Sequence, residues 1–358
     1  MLQRLEGRAA WTGAELARSG DWIRTLDAAQ CDEIADAVRS VTRRGLPLFG
    51  FGRDAFLLPR TAPLLADISE ELENGRGAVR LRGLDVTRFS LDELRHAFWG
   101  IGCHLGTPLF QNAKAETMGE VRDESRQAMQ TFAPVEPGKI ASSRSRTRGT
   151  GPLRWHTDRC DVIGLLCARN ARSGGISKLA SIVAIYNEIG QRRPDLLALL
   201  CQDYWRSRPT DEDGDEVESA FALPVFSVLN GKLTCQYSRT YVEQAQEFPE
   251  VPRLSAAQNE ALDLLAKVAD EQCLYCPFEE GDIQLLNNHV VFHGRTAYED
   301  DAETGTERLL LRLWLAVPNS RRLPAGHEVL WGTVEPGALR GGVVQPGTAL
   351  RVATHAVA

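Results

Sequence analysis

Apolar side chains recur at helical spacing through the N-terminal part of the chain. Cys31, Ile34, Val38 and Val41 follow Asp27-Ala-Ala-Gln30, whose ends fit a capping box. Gly45 and Pro47 stop that helix. Leu64, Leu65, Ile68 and Leu72 predict a second helix, closed by Gly75. Residues 78–82 (AVRLR) read as a short strand. A second capping box, Ser90 to Glu93, opens a helix carrying Leu91, Leu94, Phe98 and Ile101, and Gly106 and Pro108 end it.

Beyond Leu109 the pattern changes. Residues 134–152 are rich in Pro, Ser, Arg, Gly and Thr and predict a long loop, of the kind that serves as a lid or binding segment. Short apolar strands are expected at 153–156, 162–168 and 176–183, then a helical patch at 185–202. Strands at 224–229 and 232–237 flank Asn230-Gly231, a pair that suits a type I′ hairpin turn. A helix is expected at 255–271, and strands near 283–286 and 308–317. After Pro336 the chain is rich in Gly and Pro and reads as extended or partly disordered. Helices first, then many strands with helical insertions, indicate an α+β chain built on a β-sandwich or barrel. No G-x-G-x-x-G follows a strand and no Walker A sequence occurs, which argues against a Rossmann or P-loop domain.

Composition bounds the possibilities. The 358 residues suit two ordinary domains or one elaborated domain. With 43% hydrophobic and 25% charged residues, the chain can build a core. Acidic residues outnumber basic ones, 48 to 41, and the net charge of −7 argues against nucleic acid as a partner. No apolar run is long enough for a membrane span or a secretory signal, so a cytoplasmic location is expected. The eight cysteines are scattered and are expected to be free thiols.

Three segments carry chemistry. In Trp155-His156-Thr157-Asp158, an extended chain would project His156 and Asp158 from one face, offering two legs of a facial metal site. The segment from Gly281 to Arg295 presents His289 and His293, which share parity, so periodicity does not choose between them. Read at period two, Leu309, Leu311, Leu313 and Leu315 fill one face of a strand. Arg308, Leu310, Arg312, Trp314 and Ala316 fill the other. A buried guanidinium needs an anionic partner, either a protein carboxylate or one carried by a ligand. Lesser features read as structural. Cys273-x-x-Cys276 lacks a second pair, His96 and His104 suit satisfied helix positions, and Glu299, Asp300, Asp301, Glu303 and Glu307 suit a solvated acidic turn.

In order and spacing, His156-Thr-Asp158, a distal histidine and the Arg308-to-Arg312 strand resemble the Fe(II)/2-oxoglutarate-dependent oxygenases of the taurine dioxygenase, TfdA-like family. The likeness runs from about Trp155 to Ala316. It implies a double-stranded β-helix (jelly-roll) core with N-terminal and inserted helices. It also implies a single catalytic domain over 1–358: a mainly helical part to 108, a core at 109–317 and a C-terminal extension at 318–358. It selects His293 over His289 and implies His156, Asp158 and His293 as Fe(II) ligands, an arrangement that leaves three coordination positions open. Arg308 matches the partner of the distal carboxylate of 2-oxoglutarate, with Ser177 where the family has a threonine hydroxyl. Arg312, Gln111 and Asn112 match positions near the substrate. With O2 as the other cosubstrate, the implied reaction releases succinate and CO2 and oxidises, usually hydroxylates, an unactivated C–H bond of a small molecule such as an amino acid or natural-product intermediate. The interval from His293 to Arg308 is extended relative to taurine dioxygenase, so taurine itself is not implied. A zinc hydrolase using the same His/Asp/His set, or a non-catalytic ligand-binding jelly-roll, are the other readings.

Overall fold

The computed structural model describes residues 3–124, 149–208, 220–301, 307–345, 348, 351 and 352. Two sheets form its centre. The larger runs Ile23–Thr25, Ala78–Arg82, Ile283–Asn287, Val162–Arg169, Leu309–Ala316 and Thr107–Pro108, with Met118–Val121 also paired to Leu309–Ala316. The smaller runs Leu274–Cys276, Ser177–Ser181, Val291–Arg295 and Leu153–His156. Together they make the jelly-roll, and a cavity lies between them.

The alternation in Leu309–Ala316 explains how the larger sheet is used. Leu309, Leu311, Leu313 and Leu315 pack into one core with Leu94, Phe98, Ile101 and Leu105 of the helix Leu91–Leu105. Arg308, Leu310, Arg312 and Trp314 look the other way, into the cavity. Val162–Arg169 splits likewise, with Val162 and Leu166 in that core and Ile163 and Leu165 on the cavity. Because side chains alternate with period two, one apolar strand separates a core from a site.

The expected helices form where their caps are. Asp27 with Gln30, Ser90 with Glu93 and Ser255 with Gln258 each close a capping box, opening Ala28–Arg43, Leu91–Leu105 and Ala256–Gln272. The hairpin of Phe226–Leu229 and Lys232–Cys235 turns at Asn230 (φ 51°) and Gly231 (φ 76°), the two positive values a type I′ turn demands.

Three expectations are corrected. The strand expected to reach Val183 ends at Ser181, because the Ser181 hydroxyl accepts from the Ala184 N–H and caps a helix beginning at Ile182. The single helical patch is two helices, Ile182–Arg192 and Pro194–Leu200, since Pro194 supplies no N–H to continue the first. The segment after Pro336 is no loose tail over its described length. Arg340 is fully buried, donating from Nε (2.9 Å) and Nη2 (2.7 Å) to Asp161 Oδ1. Upstream, Arg321 donates from Nε to Glu73 Oε1 at 3.0 Å. Charge pairs, invisible to a composition argument, hold this segment down. The expected lid at 134–152 lies outside the described residues up to 148. No described helix is long and apolar enough to cross a membrane.

Candidate active site

His156 and His293 are directly opposed on neighbouring strands of the smaller sheet, with ring centroids 4.2 Å apart. Asp158 lies just past the end of Leu153–His156 rather than on it, and still turns its carboxylate to the pair, with Oδ2 3.7 Å from His293 Nε2. Donor atoms of all three residues fall within 4.8 Å of one another. His156 Nδ1 is hydrogen-bonded to the Arg154 carbonyl at 2.8 Å, an arrangement that leaves Nε2 with its lone pair facing the cluster. Two imidazoles and one carboxylate are a donor set suited to divalent iron.

Burial and neighbouring charges together set the charge states. Desolvation and the neighbouring His156 push His293 down to about 3, so it stands neutral and ready to bind a metal. For Asp158, burial pushes the carboxyl upward, but Arg312, the two histidines and the Trp314 N–H outweigh it and keep the group below its usual range.

Arg308 is 2% exposed. Its Nη2 donates weakly to the Gly175 carbonyl at 3.5 Å, and its Nη1 is buried without any hydrogen-bond partner. Among the described residues no carboxylate forms an ion pair with its side chain; Asp300 accepts only from the Arg308 backbone N–H, at 3.0 Å. Burial lowers this guanidinium to about 10. Gly175 (φ +65°) makes the space, since a Cβ there would lie 2.9 Å from Arg308 Nε. Ser177 also lines the cavity, and its hydroxyl is hydrogen-bonded to the Gln284 amide, accepting from Nε2 at 3.0 Å and donating to Oε1 at 3.2 Å. An orphaned buried guanidinium beside a serine hydroxyl fits a ligand carboxylate.

The cavity, about 500 Å³, joins these groups. Arg312 donates from Nε to Gln111 Oε1 at 2.7 Å, while Gln111 Nε2 bonds the carbonyls of Thr117 (2.9 Å) and Arg312 (2.8 Å). Gln111 thus holds Arg312. Asn112 also borders the cavity, but its side chain binds Glu116 and closes its own loop. Two contacts were missed from sequence. Trp314 Nε1 donates to Asp158 Oδ2 at 3.1 Å, and the Asp158 N–H donates to Asn288 Oδ1 at 3.0 Å. The first could have been found from parity, because Trp314 shares the face of Arg308 and Arg312. The second carries no local signal.

The remaining candidates fall elsewhere. His289 is fully buried between Asp161 and Thr234 and lies over Trp331, away from the cluster. His96 and His104 bond the carbonyls of Asp92 and Phe56. The cysteines are free, Cys273 and Cys276 included. Glu299 pairs with Arg172, so the acidic turn is partly engaged, and Glu303 lies outside the described residues.

Three buried histidines set an acid limit. Burial lowers His289, His293 (to about 3) and His327 (to about 4). Unfolded imidazoles take up protons near pH 6.5 while these do not, so the unfolded chain binds more protons. Their contribution is therefore full above about pH 6.5 and is lost as pH falls, toward about 4 for His327 and about 3 for His293. Urea denaturation of metal-free protein is expected to show a midpoint falling steadily from about pH 7 to about pH 5, with a shallower fall in His327→Gln.

Residues 42–314 match the family described as taurine catabolism dioxygenase TauD, TfdA family. The chain belongs to the TauD/TfdA family. It is accordingly a non-haem iron dioxygenase that uses 2-oxoglutarate and O2 on a small-molecule substrate, and the zinc-hydrolase reading is not favoured. This TauD/TfdA member is similar to FR-33289 synthase of Streptomyces rubellomurinus, 32% identical over 341 residues, covering 91% of this chain and 94% of the synthase. It is also similar to the taurine hydroxylase-like protein SAT17 of Stachybotrys chartarum, 29% identical over 318 residues, covering 87% and 79%. In fold it is similar to an asparagine oxygenase crystallised with Fe(II), 2S,3S-3-hydroxyasparagine and succinate, with TM-score 0.62, 17% identity, and 82% and 93% of the chains covered. The oxygenase OrfP with Fe and alpha-ketoglutaric acid gives TM-score 0.57 at 16% identity, covering 88% and 99%.

Proposed function

We propose that His156, Asp158 and His293 hold the iron, and that Arg308 with Ser177 seats the distal carboxylate of 2-oxoglutarate. Arg312, fixed by Gln111, meets an anionic group of the substrate, and Asn112 shapes that wall. The supporting observation is that one cavity gathers a His/Asp/His donor cluster and a buried guanidinium that, among the described residues, has no carboxylate partner. Bound iron supplies the activation of O2 that couples decarboxylation of 2-oxoglutarate to oxidation of a substrate C–H bond. The chain's own residues do the rest. The Arg154 carbonyl fixes the tautomer of His156, Arg308 presents a planar fork to a carboxylate, and Ile163, Leu310 and Phe278 keep part of the cavity wall apolar.

Hydroxylation is the proposed outcome, on an amino acid or a biosynthetic intermediate bearing a carboxylate or sulfonate. The asparagine oxygenase and OrfP were crystallised with hydroxyasparagine and with (3S)-hydroxy-L-Arg respectively, which supports that substrate class. The whole of 1–358 is proposed to act as one catalytic unit, because ligands 137 positions apart (293 − 156) converge on one site. Eight free cysteines support a reducing, cytoplasmic setting.

The test is anaerobic. Purified protein given Fe(II) and 2-oxoglutarate is expected to develop a weak visible charge-transfer band, and to release succinate when O2 and a substrate from an amino-acid and intermediate screen are added. A folded protein that binds iron but shows no band with 2-oxoglutarate would overturn the assignment.

A further inference from the structure

Asp158 is the one member of the cluster that no strand holds. His156 and His293 sit on paired strands, whereas Asp158 follows the end of Leu153–His156 in irregular chain. Its main chain is tied by the N–H donated to Asn288 Oδ1, but that bond leaves the side chain free to rotate. Among the described residues, the only hydrogen-bond donor to its carboxylate is the indole N–H of Trp314, at 3.1 Å from Oδ2. Trp314 is itself immobilised: it lies on the long strand Leu309–Ala316, is 9% exposed, and has the Arg312 guanidinium 5.2 Å from its ring centre.

We propose that Trp314 is a positioning residue for Asp158, fixing the rotation of the carboxylate that faces the two imidazoles. This rests on Asp158 being an iron ligand, as proposed above. Three contributions follow from the geometry. The rigid strand transmits its order to a carboxylate in irregular chain. The N–H occupies part of the lone-pair capacity of Oδ2, so the carboxylate meets a metal in a restricted orientation. The stack with Arg312 links that orientation to the residue placed nearest the substrate's anionic group, so the indole touches both the metal-facing and the substrate-facing parts of the cavity.

The experiment is an anaerobic Fe(II) titration in saturating 2-oxoglutarate, read by the visible band, on wild type, Trp314→Phe, Trp314→His, Trp314→Leu and Trp99→Phe. Trp99 is the control: it also loses a buried indole bond, to the Phe51 carbonyl at 2.8 Å, in the core away from the cavity. Trp314→Phe is expected to weaken Fe(II) binding about 10- to 100-fold and to shift the band at full occupancy. Trp314→His, which keeps a ring N–H, is expected to recover part of the affinity, and Trp99→Phe to keep wild-type affinity and band. Wild-type iron affinity and band in Trp314→Phe overturn the proposal, as does equal weakening in Trp99→Phe. Where the phenylalanine variant fails to fold, the His and Leu variants decide: the donor-bearing one must bind iron more tightly, and equal affinities overturn the proposal. A wild type without the band fails the iron-ligand assignment instead, before any Trp314 variant is compared.

Discussion

Arg308→Ala is expected to raise the 2-oxoglutarate concentration for half-saturation by roughly 100-fold while leaving Fe(II) binding intact. The size follows from the bonds at stake. A bidentate guanidinium–carboxylate pair has two charge-assisted hydrogen bonds, each worth about 1.5–3 kcal/mol, and about 1.4 kcal/mol is a factor of ten. The lower end of that range already gives roughly 100-fold. Arg308→Lys should restore only part of it, because an ammonium is a point charge and not a fork. A structural arginine would behave differently. Arg308 has no ion-pair partner among the described residues and keeps Nη1 unbonded in the interior, so the unliganded protein pays its desolvation without return. Thermal melting of the metal- and cosubstrate-free variant is therefore expected to match or exceed wild type. A large loss of stability with an unchanged 2-oxoglutarate requirement would reverse the assignment.

The second large effect separates two histidines four residues apart. His293→Ala is expected to abolish the Fe(II)/2-oxoglutarate band and substrate-dependent succinate release, since one nitrogen and one carboxylate remain of the cluster. His289→Ala is expected to keep the band and lose stability. His289 bonds Asp161 at 2.9 Å, and deleting a partner from a fully buried polar group costs about 1–3 kcal/mol. Urea denaturation and anaerobic titration of both variants check this. A band surviving in His293→Ala would refute the placement of the metal.

Local chemistry made much of the fold legible. Capping boxes at Asp27, Ser90 and Ser255 and the Asn230–Gly231 turn are short-range signals, and each sits where its element begins or turns. The alternation around Arg308 and Arg312 was legible for the same reason: one strand suffices to separate a core face from a cavity face. Periodicity could not choose between His289 and His293, because both lie at the same parity, and what separates them is that the strand Ile283–Asn287 ends before His289 while His293 lies on Val291–Arg295. His293 faces His156, whereas His289 faces Asp161. The anchoring of the tail was not legible because its glycines and prolines speak of local freedom, while Arg340 acts through a partner 179 residues away. Spacing put Asp158 on the face of His156, but its hydrogen-bond donor, a tryptophan 156 positions later, was beyond the reach of any local pattern.

The pairing of Arg340 with Asp161 has a consequence for how the enzyme is made. Asp161 lies three residues beyond Asp158 and gathers His289, Arg340 and the Val317 N–H around one buried carboxylate. During synthesis these partners emerge in turn, and the last of them appears only when Arg340 leaves the ribosome. Until then the acid beneath the loop bearing Asp158 lacks its guanidinium partner, so a chain truncated before Arg340 is expected to melt at a lower temperature than the full chain.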